Sequence, residues 1–278
     1  MGPTTDGFYL LSDEADNFTI TPGLLDDLPN GLLALAGDDS VAGSEGADTV
    51  NGNSGNDILA LTGGDDRVWG GKDNDLLSGG EGNDIINGNL GSDIILGEGG
   101  NDTLRGGKDS DVIYGNAGDD FISGDLGTDV LVGGDGSDTL VIQTAASPSG
   151  QVEFDQIIDF TPGVDMIGLP GGQTEADVLL ENAPIDLSQE LFDLVSIAIT
   201  QGVELPPGSE DLLTPEIIRQ YYLQLYGVDI DPDGDGIAQG TGIVSQTSGL
   251  QVMYVFNVTP EDLAGQFISL SDADLAVG

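Results

Sequence analysis

A nine-residue alternation of polar and aliphatic positions runs without a break from Ala34 to Val141. Twelve successive units follow this period, and typical ones such as GGEGNDIIN from Gly79 to Asn87 fit the pattern G-G-x-G-x-D-x-U-x, where U is an aliphatic residue. Position eight is Val, Leu or Ile in every unit. Because one inward-facing aliphatic side chain in nine residues cannot form a core alone, the pattern predicts very short strands that stack on one another.

The glycines of each unit predict the turns between these strands. Glycine allows positive φ and lets successive turns approach closely. Two units then form one coil of eighteen residues, with a turn on each side and parallel strands above and below. The predicted fold class is therefore all-β: a parallel solenoid of about six coils. At ~4.8 Å per strand, this stack is on the order of 25–30 Å long.

Position six is Asp in all twelve units, and this invariance predicts the chemistry of the repeat. Stacking places each Asp beneath the Asp two units later, so each edge carries a file of six carboxylates. Such files repel without a counter-ion, and oxygen ligands with no N or S donor favour Ca²⁺ over transition metals. Five gaps on each of two edges predict up to about ten Ca²⁺ ions, each bridging two Asp side chains and several turn carbonyls. The predicted metal ligands of the repeat are Asp39, Asp48, Asp57, Asp66, Asp75, Asp84, Asp93, Asp102, Asp111, Asp120, Asp129 and Asp138.

The repeat resembles the RTX (repeats-in-toxin, hemolysin-type) calcium-binding nonapeptide of secreted bacterial proteins. It departs from the pattern at position one in Ala34 and Leu61, and at position four in Asp73 and Asp109. The resemblance implies a parallel β-roll that binds several Ca²⁺ ions. It also implies export by type I secretion machinery from a Gram-negative-type bacterium, to the extracellular space or cell surface. The acidic and small apolar residues at the end of the chain are similar to a type I signal.

The segments beside the repeat predict caps for its two open ends. After the repeat, DQIIDFTPGVDMIGL from Asp155 resembles the element that follows the roll in many RTX proteins, which implies capping strands. Within it, Asp159 and Asp165 are either ligands of a further Ca²⁺ or part of the cap alone. Before the repeat, Asp16 and Phe18 stand at the spacing of positions six and eight of a degenerate unit. These patterns predict an N-terminal cap over 1–33, the roll over 34–141 and capping strands over 142–170.

Residues 171–278 have a more ordinary globular pattern, which predicts a C-terminal α+β region of mixed strands and short helices. A helix is predicted over 215–226, a buried strand over 250–258 and a helical turn that starts at Thr259. The stretch DIDPDGDG at 229–236 resembles the first half of an EF-hand loop, but Pro232 interrupts it and no Glu stands at the twelfth loop position. Asp231, Asp233 and Asp235 are therefore either a non-standard Ca²⁺ site or a solvated acidic turn.

Composition removes several classes of function. The chain has 50 Asp and Glu against 5 Lys and Arg, a net charge of −45, and the basic residues form no cluster along the sequence. Nucleic-acid binding and attraction to anionic membranes are excluded because both require concentrated positive charge. The absence of His and Cys excludes Ser-His-Asp and Cys-His catalysis, HExxH metalloprotease sites, zinc fingers and disulfides. No apolar stretch is long enough to predict membrane insertion.

The leading functional hypothesis is a non-catalytic, extracellular or cell-surface calcium-binding protein whose roll folds on binding Ca²⁺. Its predicted partners are calcium ions, the type I secretion machinery and a cell-surface polysaccharide or protein. One alternative is a polysaccharide-binding or adhesion module. The other is the C-terminal part of a secreted calcium-dependent hydrolase, because a paired-carboxylate glycosidase needs only two acidic residues.

Overall fold

The structure is a computed structural model that describes residues 2–25, 27–142, 155–182, 185–186, 237–238, 240–245 and 251–271. The predicted helix over 215–226 lies outside the described residues. The acidic loop with Asp231, Asp233 and Asp235 lies outside them as well.

The described residues form a parallel β-solenoid with two sheets of eleven strands each, which face one another across the core. From β2 (Tyr9–Leu10) to β19 (Val178–Asn182), successive strands alternate between the sheets, because within the repeat each nonapeptide turn carries the chain from one sheet to the other. The first sheet contains, in spatial order, β1 (Gly2–Pro3), β2 (Tyr9–Leu10), β4 (Leu32–Leu33), β6 (Thr49–Asn51), β8 (Arg67–Lys72), β10 (Ile85–Leu90), β12 (Thr103–Lys108), β14 (Phe121–Leu126), β16 (Thr139–Val141), β18 (Met166–Leu169) and β24 (Phe267–Ser269). The second contains β19 (Val178–Asn182), β22 (Gly240–Ser245), β23 (Gln251–Phe256), β17 (Asp155–Ile157), β15 (Val130–Asp135), β13 (Val112–Ala117), β11 (Ile94–Gly99), β9 (Leu76–Glu81), β7 (Ile58–Ala60), β5 (Ser40–Ala42) and β3 (Asn17–Thr19).

The register of the parallel strands confirms the predicted eighteen-residue coil. Ile86 of β10 pairs with Val68 of β8 on one side and with Leu104 of β12 on the other. The same spacing of eighteen holds in the second sheet, where Ile95 pairs with Leu77 and Ile113. The fold class is therefore as predicted, an all-β parallel β-roll of about six coils.

The core of the roll is a narrow ladder of the position-eight aliphatic side chains. All twelve are at most 1% exposed. Burial of one such side chain contributes about 2 kcal/mol, so stacking the coils stabilises what a single coil cannot. The ladder consists of Val41, Val50, Leu59, Val68, Leu77, Ile86, Ile95, Leu104, Ile113, Ile122, Leu131 and Leu140.

The amino-terminal segment continues the roll before the first regular unit. In β3, Phe18 pairs with Val41 of β5 in the same parallel register as the repeats. Its ring lies 5.1 Å from that of Tyr9, centroid to centroid. Strand β1 turns back on β2 in antiparallel orientation. Asp16 and Phe18 thus occupy the positions that a degenerate unit requires.

The carboxyl-terminal segment continues both sheets and then adds antiparallel strands to the second. Strands β17 and β18 pair in parallel with β15 and β16 of the last coil. Next come β23 and β24, also parallel, and then β22 and β19, which are antiparallel. The predicted strand over 250–258 is present as β23. The predicted helical turn is the helix Pro260–Leu263, whose N-cap is Thr259. A separate antiparallel pair joins β20 (Ile185–Asp186) to β21 (Ile237–Ala238).

Candidate metal centre

The repeat aspartates form two files, one along each edge of the roll, as the stacking register requires. In both files the backbone N–H of each Asp donates a hydrogen bond to Oδ1 of the Asp eighteen residues later, at 2.6–3.0 Å. Asp155 and Asp165 accept the equivalent bonds from the last repeat Asp of each file. One file runs Asp39, Asp57, Asp75, Asp93, Asp111 and Asp129, and the other runs Asp48, Asp66, Asp84, Asp102, Asp120 and Asp138.

The second carboxylate oxygen of these side chains is buried and receives no hydrogen bond from the protein. This holds for Oδ2 of eleven of the twelve repeat Asp residues, the exception being Asp48. Burial of a polar oxygen without a partner is costly, and burial of an unpaired charge is more so. Eleven such atoms in two regular rows fit the ligands of a row of cations better than isolated defects of packing.

The position-one glycines leave a space beside these oxygens. A Cβ placed on Gly88 would lie 2.7 Å from the carbonyl oxygen of Gly106 in the next coil, and closer still to Oδ2 of Asp93. The position-one glycine thus faces a carboxylate oxygen of its own unit and a carbonyl oxygen of the next coil. Similar surroundings recur at Gly52, Gly70, Gly97, Gly106 and Gly115.

Burial raises the pKa of the interior carboxyl groups because the anionic form loses its hydration. The pKa of Asp102 rises from 3.8 to about 7 and that of Asp75 to about 8. For Asp111, burial and then the neighbouring Asp129 carboxylate raise the pKa to about 10. A divalent cation beside these oxygens would reverse the effect by stabilising the anions.

The available donors fit calcium. Among the residues described, no three acidic side chains converge closely enough to hold a metal by themselves. The donors beside these position-one glycines are instead a carboxylate oxygen of the same unit and a backbone carbonyl oxygen of the next coil. Ca²⁺ accepts six to eight such ligands in flexible geometry, whereas Mg²⁺ requires a near-ideal octahedron. The eleven Asp residues with an unpartnered Oδ2 are the ones that would hold the ions.

Three carboxylates differ from the others: Asp48, the first repeat Asp of its file, and Asp16 and Asp165, which extend the files beyond the repeat. Oδ2 of Asp48 accepts a hydrogen bond from the backbone N–H of Ser44, four residues earlier, at 2.7 Å. Asp16 and Asp165 accept equivalent bonds from Ser12 and Thr161, also at 2.7 Å. These end carboxylates are therefore satisfied by their own turns.

Asp159 is engaged by the last nonapeptide rather than by its own turn. Its two oxygens accept hydrogen bonds from the backbone N–H groups of Gly133 and Gly134, at 2.9 and 2.8 Å. Of the two roles that its sequence position allows, these contacts favour the cap.

A second ladder of short polar side chains at position five escaped the sequence reasoning. Asn83 donates its backbone N–H to Oδ1 of Asp65, and Asn101 donates likewise to Asn83, both at 2.9 Å. The same pattern runs on the other edge from Asp38 to Asn56 and Asn74. Its signal is visible in retrospect, since position five is Asp, Asn, Ser or Thr in all units except at Ala47. This ladder holds neighbouring turns together without a metal.

Comparison with known proteins agrees with this geometry. A family model for the RTX calcium-binding nonapeptide repeat matches the chain in four copies, at residues 32–59, 61–95, 96–131 and 105–140. A comparison with curated proteins found no match. In the described part of the chain, no helix has both the length and the apolar character needed to cross a membrane. The files of buried aspartates and the matched copies together show that residues 32–140 are RTX calcium-binding nonapeptide repeats.

Proposed function

We propose that this chain is a non-catalytic calcium-binding protein of the extracellular space or cell surface, whose β-roll folds when Ca²⁺ fills the sites between stacked turns. The observation that carries the proposal is the set of eleven buried Oδ2 atoms with no hydrogen-bond partner. These atoms make the roll incomplete as a purely protein structure.

Each ion would lie between two successive turns of a file, held by interior Asp side chains and by turn carbonyls. Up to about ten Ca²⁺ ions would fill the two files, on a ligand count of six to eight oxygens per ion. Asp48, Asp159 and Asp165, whose carboxylates already accept backbone hydrogen bonds, would close the ends of the files. A further site at Asp231, Asp233 and Asp235 stays a prediction from the sequence.

The calcium dependence would couple folding to location. In a bacterial cytosol, sites of extracellular grade, with Kd on the order of 10⁻⁴–10⁻³ M, stay empty and the carboxylate files repel. Outside the cell, Ca²⁺ fills them and the free energy of binding becomes free energy of folding. An unfolded chain of net charge −45 suits export through the type I secretion machinery of a Gram-negative-type bacterium, the route that the RTX repeat suggests.

The proposal is tested by far-UV circular dichroism of the purified chain in EDTA, followed by titration with CaCl₂ to about 10 mM, well above the expected Kd. MgCl₂ titrated over the same range is the control. A cooperative increase in β-structure with Ca²⁺ but not with Mg²⁺ is the expected result. A spectrum that is already fully β in EDTA and does not change with Ca²⁺ would contradict calcium-driven folding.

A further inference from the structure

The basic residues of the roll, scattered along the sequence, lie together on the outer face of the first sheet. Strands β8 and β12 carry all four of them: Arg67 and Lys72 on the first, Arg105 and Lys108 on the second. In each strand the buried residues alternate with these outward positions. The fold therefore gathers four of the five cations of a chain with net charge −45 onto one surface.

A groove of about 780 Å³ crosses this face, and we call it the sheet-one groove. Trp69 lies between Asn51 and Asn87 in one row of the sheet, with Arg105 next in line. In the adjoining row, Lys72 and Lys108 flank Leu90. A smaller depression of about 510 Å³ continues past Trp69 to Arg67.

Three of the four cations have no carboxylate partner within the described part of the chain. Arg105 is the exception, since its guanidinium holds the carboxylate of Asp125 in two hydrogen bonds of 2.8 Å. Arg67, Lys72 and Lys108 make no ion pair with any described residue, although the chain has 50 acidic side chains. Their positive charge is therefore available to a ligand in the groove.

We propose that the sheet-one groove binds a segment of an acidic polysaccharide whose sugar rings carry carboxylate groups. The indole face of Trp69 offers an apolar platform for the C–H face of a sugar ring, and the neighbouring Asn amides can donate to and accept from hydroxyl groups. Lys72 and Lys108 lie two strands apart, about 10 Å, and would each meet a carboxylate along the chain. This goes beyond calcium binding and requires of it only that the roll is folded.

The same residues argue against a single-stranded nucleic acid as the ligand. Binding of successive bases uses a row of aromatic side chains, each stacked on a base. The described lining of the groove has one aromatic residue, Trp69, and several amides: Asn51, Asn53, Asn87 and Asn89. Amides at this density suit a hydroxyl-rich ligand better than stacked bases.

The chain provides its own reporter for the test, since Trp69 is its single tryptophan. The calcium-loaded protein is titrated with a short oligogalacturonate, too short to gel, and the tryptophan emission is recorded. The fully methyl-esterified oligomer is the uncharged control, and a single-stranded oligonucleotide of matched charge tests the other ligand class. A saturable change with the oligogalacturonate, weaker at high salt and absent with both controls, is expected.

Paired variants locate the binding. Lys72→Gln combined with Lys108→Gln is expected to raise Kd about tenfold, because two exposed charge contacts are lost. Glu81→Gln is the matched control, since Glu81 is an exposed residue of the second sheet. It should leave Kd unchanged. Circular dichroism in Ca²⁺ establishes that each variant has folded, which separates failure of the groove from failure of calcium-driven folding.

Three results would overturn the proposal. One is equal binding of the methyl ester, which would make the charges irrelevant. The second is stronger response to the oligonucleotide. The third is binding of the oligogalacturonate that the double lysine variant does not weaken, because protein-bound Ca²⁺ and not the groove would then hold its carboxylates.

Discussion

The carboxylates inside the two files and those at their ends have similar neighbours in the sequence but different hydrogen-bond partners in the structure. Asp93, inside a file, accepts a hydrogen bond on Oδ1 from the backbone N–H of Asp75, and its Oδ2 has no partner. Asp48, at the start of a file, has its Oδ2 on the amide of Ser44. The nonapeptide thus produces two kinds of turn, one that requires a cation and one that is complete as protein.

The backbone of the turn explains the difference. Except at Thr62, the turns of the Asp residues with an unpartnered Oδ2 take positive φ at positions two and four, as at Gly71 and Asp73, where φ is 122° and 71°. In the turn of Asp48, neither Ser44 nor Gly46 has positive φ, and the Ser44 amide points to the carboxylate instead. In addition, a Cβ on Gly43 would meet the side chain of Leu61, so an apolar group occupies the space beside this turn. Metal dependence is therefore set turn by turn.

The largest difference between interior and end carboxylates should appear as a collective effect of pH. The pKa of Asp75 and Asp102, raised by burial to about 8 and about 7, lies above the ordinary value of 3.8. The folded, metal-free roll therefore binds protons more tightly than the unfolded chain. Its stabilisation by these protons is complete below about pH 4 and is lost as the pH rises through 7 to 8. In EDTA the roll should therefore fold only at acid pH, and its free energy of unfolding should fall between about pH 5 and pH 9.

Saturating calcium should reverse this dependence, because the ligand carboxylates must be deprotonated to bind. Denaturant unfolding followed by circular dichroism, at several pH values in EDTA and in Ca²⁺, measures both slopes. A metal-free roll that becomes more stable as the pH rises from 5 to 9 would show that the interior carboxylates are not buried as described.

The next prediction concerns the free energy of unfolding of variants that lack interior or end carboxylates. Asp84→Asn combined with Asp102→Asn keeps the Oδ1 acceptors but removes two charged Oδ2 atoms. The free energy of unfolding should fall by about 3 kcal/mol in Ca²⁺, as when one partner of a buried ion pair is removed, and should rise in EDTA. Asp48→Asn is the control, since its amide oxygen can still accept from Ser44. It should change stability by less than about 1 kcal/mol in either condition.

Calcium titrations and denaturant unfolding of these variants provide the measurements. Equal behaviour of the Asp48 variant and the interior double variant would remove the distinction between the two kinds of turn.

The smallest effect tests the space beside the interior carboxylates. Gly88→Ala would place a methyl group against Oδ2 of Asp93 and the Gly106 carbonyl, which should destabilise the calcium-loaded roll by about 1–3 kcal/mol and raise the Ca²⁺ midpoint. Gly46→Ala is the matched control. Its added Cβ has no atom nearer than Ser44 Oγ at 3.8 Å, so the variant should be neutral or about 0.5 kcal/mol more stable. Thermal unfolding in Ca²⁺ compares them, and a tolerated Gly88→Ala would place the cation elsewhere in the turn.

Much of the roll could be predicted because its determinants are local and repeated. The invariant Asp and aliphatic positions establish the eighteen-residue register, and the pairing of Ile86 with Leu104 confirms it. The different turn at Asp48 could not be predicted, because it depends on the φ values of Ser44 and Gly46 rather than on the spacing of carboxylates. The basic surface was missed for another reason. Residues such as Lys72 and Lys108, thirty-six apart in sequence, become neighbours two strands apart only after coiling.

The hydrogen bonds within the carboxylate files all point the same way along the chain. The N–H of each coil is satisfied by an oxygen of the following coil, and Asp129 and Asp138 depend in turn on Asp155 and Asp165. Deletion of coils from the amino-terminal side therefore leaves every remaining donor in the files with its acceptor. Deletion of a coil from the carboxyl-terminal side instead removes the acceptor oxygens on which the N–H groups of the preceding coil depend. The roll therefore has a direction. Only from its amino-terminal end can it be shortened without loss of these hydrogen bonds.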